Sequence, residues 1–285
     1  MTATASPLGA GAPSQQAVMA QAGGENFPVA SYLLGRRQRA HLLAIYGFAR
    51  LVDDLGDEAA GDRLALLDQI EHDLDAIYEG REPEHPVMRA LAPTVADCAL
   101  PDRPFRRLID ANRRDQTVTR YETFDELVDY CRLSATPVGE LVLHVFGAAT
   151  PERIERSDEI CTALQIVEHL QDVGEDYARG RVYMPREDMT RFGCDATALG
   201  SSSVSVPLRE LLSFEAARAR QLLDSGAPLA GTLPLRPRLA VAGFVAGGRA
   251  TLDALARADY EVLRARPRPG RLAFARRWLA AVTGR

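Results

Sequence analysis

Asp53 with Asp57, in RLVDDLGDE, and Asp172 with Asp176, in HLQDVGED, repeat one spacing at two distant places in the chain. Residues i and i+4 share a helix face, so each pair presents two carboxylates side by side. Burying such like charges without a partner is costly, so the pairs call for cations. An oxygen-only ligand set suits Mg²⁺, which keeps several of its waters and commonly bridges to substrate phosphate. The simplest assembly faces the two helices across a cavity with magnesium and a diphosphate between them. Such a site is suited to ionising an allylic or cyclopropylcarbinyl diphosphate.

Taken alone, DDLGDE also reads as a solvated acidic helix end. The second motif changes the balance, because a matching Asp pair with Arg179 and Arg181 close behind is hard to explain as surface decoration. Both pairs also sit near the C-terminal ends of long helical patterns, where anions oppose the helix dipole. An unfavourable local choice made twice points to function. Arg50 stands three residues before Asp53, placed to hold a phosphate oxygen or to form a plain i, i+3 pair.

The chain around these motifs has 285 residues, 46% hydrophobic and 26% charged, with a net charge of −5. That balance is ordinary for a globular protein and gives no drive toward nucleic acid, which is not expected as a partner. All 34 basic residues are Arg. Schiff-base chemistry and a phosphate-loop lysine are thereby excluded, and every phosphate contact falls to the planar guanidinium fork. Cys98, Cys131, Cys161 and Cys194 are scattered without a C-x-x-C, against a zinc or redox site and in keeping with a reduced cytoplasm. No run looks long and apolar enough for a membrane span. Residues 1–24 are rich in Ala, Gly and Ser without a basic start, and read as a disordered tail rather than a signal peptide.

The elements that must carry the motifs are helical almost throughout. Leu42, Leu43, Ile45, Tyr46, Ala49 and Val52 recur at helical spacing between residues 39 and 57. Similar patterns cover about 63–79, 86–98, 104–117, 123–133, 138–147, 151–177, 205–224, 238–265 and 270–282, with prolines at first-turn or breaker positions. Alternating β patterns and tandem repeats are absent. One all-α domain over 25–285 is expected.

Three segments carry a resemblance: 25–58 (ENFPVASYLLGRRQRAHLLAIYGFARLVDDLGDE), 120–139 (RYETFDELVDYCRLSATPVG) and 163–188 (ALQIVEHLQDVGEDYARGRVYMPRED). They are similar to the squalene/phytoene synthase family, the head-to-head branch of the class I trans-prenyltransferases. The segment 241–255 (VAGFVAGGRATLDAL) matches more loosely. The resemblance implies the single-domain isoprenoid-synthase fold, all-α with a central cavity. Within the family, ENFPVAS and the run Ser134–Gly139 look like bacterial hydroxysqualene synthases of hopanoid-type pathways. These convert presqualene diphosphate and water to hydroxysqualene without a nicotinamide cofactor.

Carried over position by position, the resemblance makes Asp53, Asp57, Asp172 and Asp176 the catalytic Mg²⁺ ligands, around a cluster of roughly two or three ions. It makes Arg50, Tyr46, Gln165 and Arg181 substrate and diphosphate contacts, and Tyr130 and Tyr183 catalytic cavity residues. Two positions depart from the family. Glu168 stands where an Asn ligand is usual, and is expected to bind metal or to support a ligand. Phe244 stands where a cavity Tyr is usual. The implied chemistry is loss of diphosphate, ring opening of a cyclopropylcarbinyl cation, and capture by water. Tyr46, Phe48 and Phe244 offer π faces to such a cation, although core packing accounts for Phe48 as well. His169 or Tyr130 is a candidate to position the water, with a locally bonded helix histidine as the plainer account of His169.

The Arg-rich segment 264–278 carries an apolar stripe through Leu272, Phe274 and Trp278. It reads as a solvated face, or as peripheral contact with anionic lipid at the inner face of the membrane. Upstream and downstream enzymes of a squalene pathway are expected partners beside the prenyl diphosphate. The rival readings are a presqualene diphosphate, squalene or phytoene-type synthase that condenses two prenyl diphosphates, and a non-catalytic assembly or lipid-binding protein.

Overall fold

The computed structural model describes residues 34–283, so the predicted tail and the ENFPVAS segment lie outside the described residues. Within that range the chain is helical, and its sole β pairing is a one-residue parallel bridge between Arg120 and Val182. It forms two compact units, residues 34–117 with 140–149, and 118–139 with 150–283.

The first unit is built around α1 (Arg36–Asp57), whose Leu42, Ile45, Phe48, Leu51, Val52 and Leu55 form a buried stripe at spacings of three and four. Against it pack α2 (Arg63–Tyr78), α3 (Pro86–Cys98) and α4 (Asp102–Arg114). Asp62 caps α2 by accepting from Ala65 N–H, and α3 starts with proline in its first turn behind a His85 cap. Phe48 is fully buried and meets Phe105 of α4 edge-on at 4.9 Å, so its role is packing.

The second unit contains α5 (Phe124–Ser134), α7 (Pro151–Ala178), the short α8 (Arg186–Arg191), α9 (Val206–Gly226), α10 (Leu235–Arg257) and α11 (Arg271–Thr283). The helix α6 (Thr136–Val145) connects to it through the 134–139 run. Thr150 caps α7 and Ser205 caps α9, each accepting from the backbone N–H three residues on. The long faces of α7 and α9 pack together, and α10 covers both while receiving α11.

Two sequence expectations are corrected here. The helix predicted over 238–265 ends at Arg257, because Asp259 and Tyr260 take left-handed backbone conformations, φ 51° and 56°. Tertiary contacts hold that break: Arg209 Nε reaches Asp259 Oδ2 at 2.9 Å, and Val262 is buried. In addition, α10 has an 18-residue window with mean hydropathy 1.3, long and apolar enough by composition to cross a membrane. That window is 72% buried by the rest of the unit, so its apolar residues are core.

Candidate functional site

The first acidic pair lies in the last turn of α1, which contains no basic residue to offset its dipole. Asp53 and Asp57 are solvent-accessible, whereas their neighbour Asp54 is buried at 6% exposure. Asn112 of α4 donates from Nδ2 to Asp53 Oδ1 at 3.1 Å and is itself held by the Leu108 carbonyl. Gln116, one turn further on, donates to the Gly56 carbonyl at 3.0 Å. This approach of α4 requires glycine at 56, since a Cβ there would stand 2.1 Å from Asn112 Oδ1.

Crowding by protein atoms pushes the Asp53 carboxyl up to about 7, with Asn112 and Arg50 pulling the other way and Asp57 adding to the rise. Arg50 does not pair with Asp53. Its Nη2 lies 2.7 Å from Asp54 Oδ1 and 3.6 Å from Glu58, and its buried Nε makes no hydrogen bond. Tyr46 is half-buried on the same helix. Asp54 and Asn112 are the site neighbours that sequence reasoning missed. Asp54 was visible only as the second letter of DD, and nothing near Asn112 in sequence marked it.

The second acidic set lies along one face of α7. Glu168 is half-exposed, and the Asp172 and Asp176 side chains are 19% and 17% exposed. Burial raises the Asp172 carboxyl to about 6; Arg266 opposes the rise, and Glu168, Asp176 and Glu175 add to it. Asp172 Oδ1 is buried without a hydrogen-bond partner. The helix then stops in two tight bonds, Gly180 N–H to Tyr177 O and Arg181 N–H to Asp176 O, both 2.9 Å, with Gly180 at φ +82°. That stop turns the chain so that Val182 pairs with Thr119 and Arg181 follows directly on the acidic turn.

Tyr183 is thereby placed against α7. Its ring stacks flat on His169 at 3.7 Å between centroids and 14° between planes, and Tyr130 and Tyr121 stand 5.6 and 5.8 Å away. His169 is buried, with Nε2 3.3 Å from Gln165 Nε2 and Nδ1 3.7 Å from Asp176 Oδ2. The Gln165 amide stands at one ring nitrogen and the Asp176 carboxylate at the other. Phe244 is half-buried on α10.

Among the described residues no group of three or more His, Cys, Asp or Glu side chains is gathered as a ready-made metal cage. The donors nevertheless fit Mg²⁺: two oxygen-only sets, raised carboxyls, and in Asp172 Oδ1 a buried acceptor lacking any donor. Magnesium takes few protein ligands and completes its shell with water and phosphate, so a closed cage is not required.

The chain is similar to known proteins over most of its length. The chain is 39% identical to the hydroxysqualene synthase of Rhodopseudomonas palustris over 213 residues, 73% of this chain and 71% of that one. It is 34% identical to the phytoene synthase of Mycobacterium tuberculosis over 206 residues, 70% and 67% of the two chains. The crystal structure of the squalene synthase HpnC from Alicyclobacillus acidocaldarius superposes with a TM-score of 0.80 at 43% identity, covering 85% of this chain and 92% of that one. The squalene/phytoene synthase family model matches residues 20–273, and the chain belongs to that family.

Proposed function

We propose that this protein is a hydroxysqualene synthase, converting presqualene diphosphate and water to hydroxysqualene and diphosphate in a hopanoid-type pathway. The observation that carries the metal-dependent part is Asp172, a raised carboxyl with a buried, donorless oxygen on an acidic helix face. The choice within the family is supported by the 39% identity to a hydroxysqualene synthase.

In this reading Asp53, Asp57, Asp172 and Asp176 hold Mg²⁺, with Glu168 as a further oxygen ligand. The ion, when bound, supplies charge neutralisation to the departing diphosphate. Arg50 offers its unpartnered Nε to a phosphate oxygen, and Arg181 adds a fork contact beside Asp176. Tyr46 and Gln165 orient the substrate. The carbon–oxygen bond breaks with its electron pair leaving on diphosphate, and the cyclopropylcarbinyl cation opens to an allylic cation. Tyr130 and Tyr183 face that charge with their π systems, an attraction of about 2 kcal/mol when desolvated. Water adds through oxygen and loses one proton to give the alcohol. No electron donor enters the balance, so no nicotinamide cofactor is needed.

The test is incubation of purified protein with presqualene diphosphate and Mg²⁺ in ¹⁸O-water without any nicotinamide. An alcohol carrying solvent oxygen supports the reading. Condensation of farnesyl or geranylgeranyl diphosphate with no reaction on presqualene diphosphate moves the protein to the rival branch, which its 34% identity to a phytoene synthase favours. Metal-independent lipid binding without turnover would make it a carrier or assembly subunit. We further place the protein in the cytoplasm, in peripheral contact with anionic lipid through the 264–278 segment, where Arg276 and Leu279 are exposed side by side on the same helix as that segment's end.

A further inference from the structure

Beyond the break at Asp259, the chain runs back along α7 as a strap over residues 261–267. Its attachment is made largely by groups other than Arg266. Gln171 Nε2 donates to the Pro267 carbonyl at 2.7 Å, and Val204 N–H donates to both Glu261 carboxylate oxygens at 3.3 and 3.2 Å. Arg264 Nε donates to the Ser202 carbonyl at 3.3 Å, and Val262 is buried. Leu263 lies against Gly174, where a Cβ would meet it at 3.0 Å.

The strap delivers Arg266 to the second acidic set. Its Nη2 is 3.0 Å from Asp172 Oδ2 and 3.8 Å from Glu168 Oε1. These are ion pairs by distance but not by alignment. Arg266 Nε and Nη2 are both buried without a hydrogen bond, and Asp172 Oδ1 likewise lacks a donor. A guanidinium selected to lock a strap would spend its fork on bidentate bonds. Here it supplies charge to the acidic face while leaving hydrogen-bonding capacity unused on both sides.

We propose that Arg266 is the built-in counter-cation of the second acidic set, occupying the face of Asp172 and Glu168 until a divalent cation displaces it. This rests on the reading of Asp172 as a metal ligand. The arrangement explains how three acidic side chains along one helix face are tolerated without metal: a positive charge on a separately anchored strap offsets them and can leave without unfolding the strap. It also ties the unusual acid at position 168 to a partner, because the negative charge of Glu168 is met by Arg266. Arg266 thus sets the threshold of metal loading.

The experiment is Mn²⁺ binding to the substrate-free protein, followed by titration calorimetry and by electron paramagnetic resonance of the free ion. The unchanged chain is compared with Arg266→Gln, Arg266→Lys and Asp172→Asn. Arg266→Gln is expected to bind Mn²⁺ on the order of tenfold more tightly, the equivalent of about one pK unit of relieved competition. Arg266→Lys keeps the charge and is expected to stay within about threefold of the unchanged chain, which also controls for damage to the strap. Asp172→Asn is expected to lose one class of site. If Asp172→Asn weakens binding but Arg266→Gln leaves it equal or weaker, the counter-cation is overturned and the metal site stands. If Asp172→Asn binds Mn²⁺ like the unchanged chain, both fall.

Discussion

Asn112 donates from Nδ2 to Asp53 Oδ1 at 3.1 Å from a neighbouring helix, and it is the hydrogen bond that holds the Asp53 carboxyl down against the crowding that raises it. The first acidic motif is therefore completed by a residue outside the motif. Asn112→Ala removes a bond to a charged group, a contribution of about 1.5–3 kcal/mol. We expect kcat/KM to fall at least tenfold near neutral pH. Asp53 rises further from about 7, so the acid limb of the profile moves to higher pH and activity recovers as pH increases. A kcat/KM profile between about pH 6 and 9 checks this; an unmoved limb removes Asn112 from the site.

Gly56→Ala tests the packing that brings Asn112 into reach. Alanine is the better helix former by about 1 kcal/mol. The new Cβ, however, meets Asn112 Oδ1 at 2.1 Å, and that side chain is pinned by Asp53 and by Leu108 O. Overpacking costs about 1–3 kcal/mol, so the clash wins. A melting temperature lower by several degrees, with reduced activity, is the expected result. A higher melting temperature would mean that α4 moves aside freely.

Asp53→Ala and Asp172→Ala are each expected to abolish turnover while circular dichroism keeps its helical amplitude, since both carboxylates lie at helix positions where alanine is favourable. Near-normal turnover in either variant removes that residue from the ligand set.

Tyr183 stacks on His169, and ring and hydroxyl can be separated. Tyr183→Phe keeps the 3.7 Å stack and is expected to retain activity within a few-fold. Tyr183→Ala loses the π face and the cover over His169. A loss of about 2 kcal/mol of cation stabilisation corresponds to roughly thirtyfold in kcat. Single-turnover rates distinguish the two variants, and equal rates would reduce Tyr183 to a spacer.

Glu215 of α9 supplies a stability test away from the chemistry. It is 1% exposed, close to the Arg218–Asp188 pair, and burial raises its carboxyl above the ordinary 4.5. The folded state therefore holds a proton that the unfolded state releases. Because the folded state binds more protons in that window, stability falls as pH climbs from about 4.5 toward the raised value. Glu215→Gln mimics the protonated form and is expected to flatten part of that decline in urea melts between about pH 5 and 8. Parallel slopes for the two proteins would show that Glu215 ionises as it does in the unfolded chain.

What the sequence determined by itself was local. The helical period along α1 and α7, the four-residue spacing of each Asp pair, the caps at Asp62, Thr150 and Ser205, and the stop at Gly180 all follow from interactions within a few residues. Family motifs were legible for the same reason, as contiguous runs. Tertiary structure alone decided the partners of those motifs: Asn112 beside Asp53, Arg266 against Asp172, and Tyr183 folded flat on His169. It also decided that α10 stops at Arg257 with no glycine to announce it. Hydrogen bonds and ion pairs between distant segments are set by how helices pack and where loops return, and neither quantity leaves a periodic trace in the sequence.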